Sequence, residues 1–319
     1  MKKFLAIVIL SLLPSIAVGA DDVIAPPWVY PATEPNFPRE PDDGLPRHVP
    51  GSDKEFKRRE ITDFFAVKDW FPDDHPQMPE IVEHGRRPEV RACGVCHLAN
   101  GLGHPDTAYL AGLPADYFFE QLKDLQSGKR KNTFTPPSNN GMSMIASAMT
   151  DEEMKTAAAY FASLKPRPWV TVKESKTAPV TYVGNGNLRS VAPNAGTEPL
   201  GQRIIEVPEN PDLAELRDPH SGFIAYVPIG SVKKGEALVT TGGNGKTISC
   251  AVCHGPELKG LGNVPGIAGR SPDYVVRQLL DIKQSARDAT GTQLMKAVVA
   301  KLTLDDMIDI AAYTGTRTP

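Results

Sequence analysis

Apolar residues recur at helical spacing in two widely separated parts of the chain. One segment covers about residues 115–127, where Phe118, Leu122 and Leu125 share one face of the helix that it predicts. A similar segment covers residues 272–284. A shorter helix is predicted before each segment, ahead of Cys93 in the first case and ahead of Cys250 in the second. The pattern therefore predicts two similar helical regions.

The last helix of each region is predicted by its first residues. Thr150 is followed three residues later by Glu153, and Thr303 is followed at the same distance by Asp306. A hydroxyl residue with an acid three positions later forms a capping box or comes close to one. We therefore expect a mainly α-helical protein.

Two other stretches lack this periodicity. Residues 21–75, called the extension, hold eight prolines between positions 26 and 50, and we expect them to wrap over a surface without regular helix or sheet. Aromatic residues such as Trp70 indicate that part of the extension packs. Residues 167–229, called the insert, carry short β-branched runs separated by Gly, Pro and Asn. Such runs predict strands or extended segments that pack on the helical regions.

The two helical regions are copies of one unit. A shift of 157 positions places Ala111 and Gly112 on Ala268 and Gly269. Beyond Arg130 the shift falls to 153, because the first copy holds four extra residues near positions 133–140. The predicted organisation is a signal peptide at 1–20, the extension at 21–75, a first unit at 76–166, the insert at 167–229 and a second unit at 230–319.

All four cysteines lie in two copies of one five-residue motif. The motif residues are Cys93, Cys96 and His97 in the first unit and Cys250, Cys253 and His254 in the second. Cys-x-x-Cys-His is the attachment signature of c-type haem. Two thiols at this spacing reach the two vinyl groups on one edge of a porphyrin, and the adjoining imidazole binds the iron. The sequence therefore predicts two covalently attached haem c groups.

Two other interpretations of the cysteines are weaker. Disulfides are common in exported proteins, but a histidine follows both pairs, which disulfide chemistry does not require. The two pairs are 157 positions apart, which is far from the spacing of a zinc ribbon.

The ligand at the sixth position of each iron decides between electron transfer and catalysis on a small molecule. Two methionine pairs occur in both copies: Met142 with Met295, and Met154 with Met307. Methionines within a helix are more often core residues than ligands. We favour Met142 and Met295, which are predicted to lie in a loop before the last helix.

Histidines offer an alternative sixth ligand. The residues outside the motifs are His48, His75, His84, His104 and His220. None has a counterpart in the other copy, so a bis-histidine haem would make the two units different. We expect most of them to be surface or turn residues.

Each unit resembles a class I cytochrome c domain, and the pair resembles the periplasmic dihaem cytochromes of the c-four type. In the first unit the resemblance is carried by Cys93, Cys96, His97, Ala111, Gly112, Tyr117, Gln121, Leu122, Gly128, Arg130, Met142 and residues 158–160. In the second it is carried by Cys250, Cys253, His254, Pro265, Ala268, Gly269, Tyr274, Gln278, Leu279, Arg287, Met295 and residues 311–313. The resemblance implies that Met142 and Met295 are the sixth ligands.

The two units depart from this pattern unequally. In the family a proline three residues before the Ala-Gly pair offers its carbonyl to the haem-binding histidine. Pro265 fills this position in the second unit, whereas the first unit has Ala108 there and Pro105 upstream. The resemblance therefore implies a less certain ligand geometry at the first haem.

The N-terminal residues and the charge bear on location. Lys2 and Lys3 precede an apolar run at residues 4–18, and small residues precede Asp21, which is typical of a cleaved signal peptide. The run is too short to span a bilayer, so we expect a periplasmic protein without a transmembrane segment. The net charge of −3 argues against a nucleic-acid partner.

We expect an electron carrier between a dehydrogenase or quinol-oxidising complex and a terminal oxidase or reductase, with redox proteins as donor and acceptor and no catalytic residues. Arg130 and Arg287 are candidates to pair with haem propionates, although a solvated arginine is the simpler expectation for each. One alternative is a cytochrome subunit of a multi-subunit dehydrogenase. A dihaem peroxidase is another, and it would need a haem that Met142 or Met295 does not bind.

Overall fold

The computed structural model describes residues 25–33, 37–38, 41–133 and 141–319. The predicted signal peptide lies outside the described residues, as do positions 134–140 in the region of the four extra residues.

The extension contains more regular structure than its prolines indicate. Its elements are β1 (Pro46–Arg47), β2 (Phe56–Lys57), α1 (Arg58–Ile61) and 3-10 turns at Pro27–Val29 and Pro72–Asp74. The expectation that it forms no helix or sheet is wrong at these points, because β1 and β2 pair antiparallel over a small core of Val49, Ile61 and Trp70. The Trp70 Nε1 donates to the Leu216 carbonyl at 2.8 Å, which fastens the extension to the insert.

Helices make up the first unit. They are α2 (Glu80–Glu83), α3 (Cys93–His97), α4 (Ala115–Gln126), α5 (Gly141–Ala148) and α6 (Asp151–Ser163). The predicted second helix is confirmed as α4 and ends one residue early. The start of α6 is also confirmed, since the Thr150 side chain accepts from the Glu153 backbone N–H and the Glu153 carboxylate accepts from the Thr150 N–H.

The insert is built from short strands. They are β3 (Val170–Glu174), β4 (Thr177–Pro179), β5 (Thr181–Val183), β6 (Arg189–Val191), β7 (Thr197–Pro199), β8 (Ile205–Pro208) and β9 (Phe223–Val227), with a 3-10 turn at Asn185–Asn187 and α7 at Pro211–Glu215. Strand β9 is central, with β3 parallel on one side and β8 antiparallel on the other. The predicted strands are confirmed, whereas α7 was not predicted.

Side chains of β9 alternate between buried and half-buried positions. Phe223 packs in the apolar core of the first unit, and Ala225 and Val227 pack in that of the second. The Phe223 ring lies 5.0 Å from that of Trp169, centroid to centroid. One strand of the insert therefore contributes to both cores, whereas the sequence predicted only that the insert packs on one or both units.

The second unit repeats the first with a longer first helix. Its elements are α8 (Ser231–Thr241), α9 (Ala251–His254), β10 (Gly260–Leu261), β11 (Val264–Pro265), α10 (Pro272–Lys283), a 3-10 turn at Thr290–Thr292, α11 (Gln293–Val299) and α12 (Leu304–Gly315). Helices α8 and α12 cross closely at Gly235, where a Cβ would lie 1.9 Å from the Asp309 carbonyl oxygen. Glycine is therefore required for this crossing.

The segments around Met142 and Met295 differ from the prediction. Both residues were expected in a loop, but Met142 lies in α5 and Met295 lies in α11. Both helices are only seven or eight residues long and directly precede the capped last helix. Each methionine lies in the first turn of its short helix.

The two units meet through backbone strands of opposite direction. The Lys131 N–H donates to the Ala286 carbonyl and the Asp288 N–H donates to the Lys129 carbonyl, both at 2.8 Å. The shift of 157 positions exchanges these two bonds, so the contact has local twofold symmetry.

Among the residues that the structure describes, no helix has the length and apolar character needed to cross a membrane.

Candidate haem sites

The first motif lies at the edge of an apolar cavity. Helix α3 begins at Cys93, and Cys93, Cys96 and His97 line the cavity together with Met142. The remaining lining residues are Arg91, Ala92, Leu110, Phe118, Leu122, Ile145, Met149 and Ala157. The structure thus brings the four site residues that the sequence predicted for this unit to one cavity.

The ring of His97 is held by a backbone carbonyl. Its Nδ1 lies 2.9 Å from the Ala108 oxygen, and because a carbonyl only accepts, Nδ1 carries the proton. This leaves Nε2 as the nitrogen for a metal. Burial lowers the pKa of His97 to about 4, which keeps the imidazole neutral as a metal ligand must be.

The second motif has the same arrangement. The Nδ1 of His254 lies 2.8 Å from the Pro265 carbonyl oxygen, and burial lowers the pKa of this histidine too. Cys250 and Met295 both pack against the apolar core of the second unit. The two units therefore match at this bond, a point that the sequence left open, because the Ala108 carbonyl occupies the place of the Pro265 carbonyl without a proline ring.

The four thiols are unpaired and partly buried. Burial raises the pKa of Cys93 to about 12 and that of Cys250 to about 11. A dithiol that performs disulfide exchange has a lowered pKa, so these pairs are poorly suited to redox exchange. Over the described residues no group of three or more His, Cys, Asp or Glu side chains forms a metal-ion site. Paired protonated thiols, a neutral imidazole and an apolar cavity fit a haem.

The competing methionines occupy different environments. Met154 and Met307 are fully buried in the cores of their units, as expected of packing residues. Met144, which lies in the same helix as Met142, is 60% exposed. Met142 is half-buried and lines the cavity together with Cys93, Cys96 and His97.

Four of the other histidines lie close to carboxylates. The distances are 2.6 Å from His220 to Asp74, 3.1 Å from His75 to Asp69, 3.7 Å from His84 to Glu83 and 3.8 Å from His48 to Glu55. The expectation of surface positions is wrong for His75, whose side chain is buried. Burial by itself would lower the pKa of His75, but its hydrogen bonds to the Asp69 carboxylate and the Pro76 carbonyl raise it.

His104 is half-buried, and its carbonyl accepts from the Thr107 N–H in a turn. Burial lowers its pKa to about 3. The neighbouring Gly103 N–H donates to the His97 carbonyl at 2.9 Å, so His104 belongs to the loop on the His97 side of the motif. His104 would therefore lie on the His97 side of a haem held by this motif.

Arg130 and Arg287 are not solvated, contrary to the simpler expectation. Arg287 is 7% exposed, and its Nη2 donates to the Tyr117 hydroxyl at 2.9 Å. Arg130 donates to the Tyr274 hydroxyl at the same distance. Each arginine thus reaches a tyrosine of the opposite unit. The repeat aligned these four residues but gave no signal that they meet.

The extension covers one motif and leaves the other open. Val95 within the first motif is 3% exposed, whereas its counterpart Val252 is 68% exposed. A Cβ at Gly94 would lie 2.9 Å from Val67 of the extension. The equivalent position in the second motif is Ala251, where a side chain is accommodated. Sequence reasoning missed this difference in exposure. The signal in the sequence is glycine at position 94 and alanine at the equivalent position 251.

Comparison with known proteins gives a consistent result. The family model "Cytochrome c" matches residues 83–165. The "Thiosulfate dehydrogenase electron acceptor" of Thiomonas intermedia is 27% identical over 68% of this chain and 74% of its own length. "Cytochrome c4" of Pseudomonas aeruginosa is 25% identical over 70% of this chain and 83% of its own length. A crystal structure of reduced cytochrome c4 from Pseudomonas stutzeri covers 70% of this chain at 22% identity, with a TM-score of 0.47.

Proposed function

We propose that this chain, a class I c-type cytochrome related to the dihaem cytochromes c4, carries electrons in the periplasm from a dehydrogenase or quinol-oxidising complex to a terminal oxidase or reductase. It is an electron carrier rather than an enzyme. The observation that carries the proposal is the pair of motif histidines, each of which donates Nδ1–H to the carbonyl at the same repeat position.

The proposal assigns one cytochrome c domain to residues 76–166 and one to residues 230–319. Each domain binds one haem c through its two motif cysteines and its motif histidine. Met142 and Met295 are the proposed sixth ligands. Their support is the cavity that Met142 shares with the first motif and the packing of Met295 on the same core as Cys250.

When bound, a haem of this kind exchanges one electron at its iron. The residues of the chain prepare the site for that exchange. The carbonyls of Ala108 and Pro265 fix the imidazole tautomer and plane and raise the basicity of the ligating nitrogen. A methionine at the sixth position favours ferrous iron and raises the potential. It also occupies the position at which oxygen or peroxide would bind.

The uncovered motif indicates where a partner docks. Val252 is exposed within the second motif, and Leu294, beside the proposed ligand Met295, is 79% exposed. The extension shields the corresponding part of the first motif at Val95. We therefore assign the second haem to electron exchange with a protein partner through an apolar contact, and the first haem to a more enclosed role within the chain.

The names of two relatives indicate the class of protein that donates electrons to them. Proteins of Thiomonas intermedia and Stutzerimonas stutzeri are electron acceptors of a thiosulfate dehydrogenase. An exported dehydrogenase of a small sulfur compound is accordingly the first electron donor to test. Stopped-flow mixing of the ferric protein with a purified thiosulfate dehydrogenase and thiosulfate should reduce both haems. Failure to be reduced, combined with rapid turnover of peroxide, would overturn the carrier assignment.

A cytochrome subunit of a stable dehydrogenase complex is the second candidate. In such a subunit the extension and the insert would be docking surfaces, but both have packing roles inside the chain. Trp70 of the extension is 2% exposed, and Phe223 of the insert is buried in the first unit. Gel filtration of the native protein from periplasm separates the two: a free carrier elutes alone, and a subunit elutes with its enzyme.

A further inference from the structure

The loop that holds His97 lacks the proline that its counterpart has. In the second unit the carbonyl that accepts from His254 belongs to Pro265, whose ring fixes φ and which pairs within the β10–β11 hairpin. In the first unit the carbonyl belongs to Ala108. No ring restrains the backbone there, yet the two hydrogen bonds differ in length by only 0.1 Å, 2.9 against 2.8 Å.

Part of the restraint is local. The Thr107 hydroxyl donates to the Cys96 carbonyl at 3.1 Å and accepts from the His104 N–H at 2.9 Å. These bonds tie the start of the loop to the motif, but they leave its outer side to be held by something else.

Two arginines of the second unit hold the outer side. The Arg277 guanidinium donates to the Pro105 carbonyl, and its Nη1 lies 3.2 Å from the Asp106 carboxylate. The Arg270 Nη1 donates to the Tyr109 carbonyl at 2.5 Å. The side chains of the Arg277–Asp106 pair are 7% and 10% exposed. The loop residues on both sides of Ala108 are therefore bound from the other unit.

The second unit receives no equivalent support. The repeat aligns Arg277 with Glu120 and Asp106 with Asn263, and these two residues do meet, but through an exposed contact of 3.5 Å. Arg270 aligns with Leu113, which has no charge. Among the described residues, a buried clamp of Arg270, Arg277 and Asp106 holds the loop without the proline, and its counterpart has none.

We propose that Arg277 and Asp106, supported by Arg270, are positioning residues for the haem ligand His97 and take the place of the missing proline. The inference rests on the proposed function, because it presumes a haem bound to His97. Removing one member of a buried ion pair leaves the other charge uncompensated, at a high cost in free energy. The loop relieves this cost by moving, and the Ala108 carbonyl moves with it.

The expected effect is a raised potential at the first haem only. A weaker Nδ1–H bond makes the imidazole a poorer donor and disfavours ferric iron. Loss of one hydrogen bond predicts a change of about three- to tenfold in the reduction equilibrium constant, where tenfold corresponds to about 59 mV for one electron. A simple loss of nearby positive charge would shift the potential in the opposite direction.

The test uses Arg277→Met and Asp106→Asn in the full-length haem-loaded protein. Electrostatics alone predicts opposite shifts for these variants, because they remove opposite charges, whereas the positioning role predicts that both raise the first midpoint. Redox titration resolves the midpoints. NMR of the ferric protein reads the plane of the axial imidazole from the haem methyl shifts, so the near-isosteric Asp106→Asn decides the question even where Arg277→Met fails to fold.

Glu120→Gln is the matched control, because it alters the aligned contact at Asn263 and should leave the second midpoint unchanged. The inference is overturned if Asp106→Asn leaves the haem methyl shifts as they are in the unaltered protein, or if Arg277→Met lowers the first midpoint. These results would leave the carrier function standing. An unaltered protein without haem at His97 would instead refute the proposed function itself.

Discussion

Arg130 and Arg287 pair as antiparallel backbone neighbours at the boundary of the two units. Their side chains cross in opposite directions, so that Arg130 donates to Tyr274 and Arg287 donates to Tyr117, each at 2.9 Å. Gln121 and Gln278 each accept from both arginines at distances from 2.6 to 3.3 Å. The duplicated residues therefore form one twofold-related ring of charge-assisted hydrogen bonds.

Removal of one hydroxyl from this ring should weaken the contact between the units. Tyr117→Phe deletes the acceptor of the Arg287 Nη2 donor, and hydrogen bonds to charged groups contribute about 1.5–3 kcal/mol. Because Arg287 keeps its glutamine partners, we expect the free energy of unfolding to fall by about 1–2 kcal/mol. Chemical denaturation measures the change. Tyr274→Phe should have a similar effect, since its bond to Arg130 is equally long.

The control for these variants is Tyr182→Phe, which removes a hydroxyl from strand β5 of the insert, where the ring stacks on Phe37. It should leave stability nearly unchanged. Equal losses in Tyr117→Phe and Tyr182→Phe would show that the ring of hydrogen bonds does not hold the units together.

A buried pair of acids predicts how stability depends on pH. Glu206 and Asp273 are both buried, and burial raises the pKa of Glu206 to about 8 and that of Asp273 to about 7. A Glu206 carboxylate oxygen accepts from the Ser271 hydroxyl at 2.8 Å and from the Asp273 N–H at 3.2 Å. Arg277 lies close enough to lower both pKa values in part.

The sign follows from the proton count. An acid whose pKa is higher in the folded state holds a proton that the unfolded chain has released, so stability falls as pH rises between the two pKa values. Melting temperature should therefore decline between about pH 5 and pH 8. Glu206→Gln should reduce this decline, with a gain over the unaltered protein at pH 8 and little gain at pH 5.

Glu257→Gln serves as the comparison, because Glu257 is exposed and its substitution removes the same charge together with only a surface ion pair to Lys259. A melting temperature of Glu206→Gln that follows the same pH curve as Glu257→Gln would contradict a protonated Glu206 in the fold.

The exposed apolar residues Val252 and Leu294 at the second motif predict where electrons leave the protein. Val252→Glu introduces a charge at a position that is 68% exposed, and Leu294→Glu does so beside Met295. Two copies that exchange electrons through this edge would then repel each other, and we expect the self-exchange rate to fall about tenfold. NMR line broadening in half-reduced samples measures this rate.

Leu45→Glu is the matched control, because Leu45 is 59% exposed on the extension, away from the motif. It should leave self-exchange close to that of the unaltered protein. Equal slowing by Leu45→Glu and Val252→Glu would point to a general effect of charge and remove the assignment of the docking edge.

The repeat made much of this arrangement predictable. Residues such as Thr150 and Thr303 carry local signals, since a capping box depends on four neighbouring residues only, and both helices begin there. The motif spacing of Cys93 and His97 is likewise local. Strands of the insert followed from β-branched runs between turn residues.

Contacts between distant segments were not predictable. Arg277 and Asp106 are 171 residues apart in the sequence, and nothing local indicates that they pair. Trp70 signalled burial through its aromatic character but not its partner, the Leu216 carbonyl. Ala108 departs from the family pattern, which has a proline at this position. Its carbonyl still accepts from His97, because side chains distant in sequence hold the loop.

The sixth ligands are tested by truncation. Met295→Ala should lower the midpoint of one haem and allow that haem to bind carbon monoxide, because the soft thioether that favours ferrous iron is gone. Met142→Ala should do the same for the other haem. Met144→Ala is the control, since Met144 lies in the same helix as Met142 but is 60% exposed. Carbon monoxide binding by Met144→Ala but not by Met142→Ala would reassign the ligand.

The central claim is that the chain is a two-haem electron carrier with closed coordination at both irons. A spectroscopic redox titration of the isolated protein, combined with a haem count and exposure of the reduced form to carbon monoxide, tests it most directly. We predict two haem c groups per chain, two one-electron steps and no rapid carbon monoxide binding at either iron. A single haem, or rapid binding of carbon monoxide at one of two, would contradict this account.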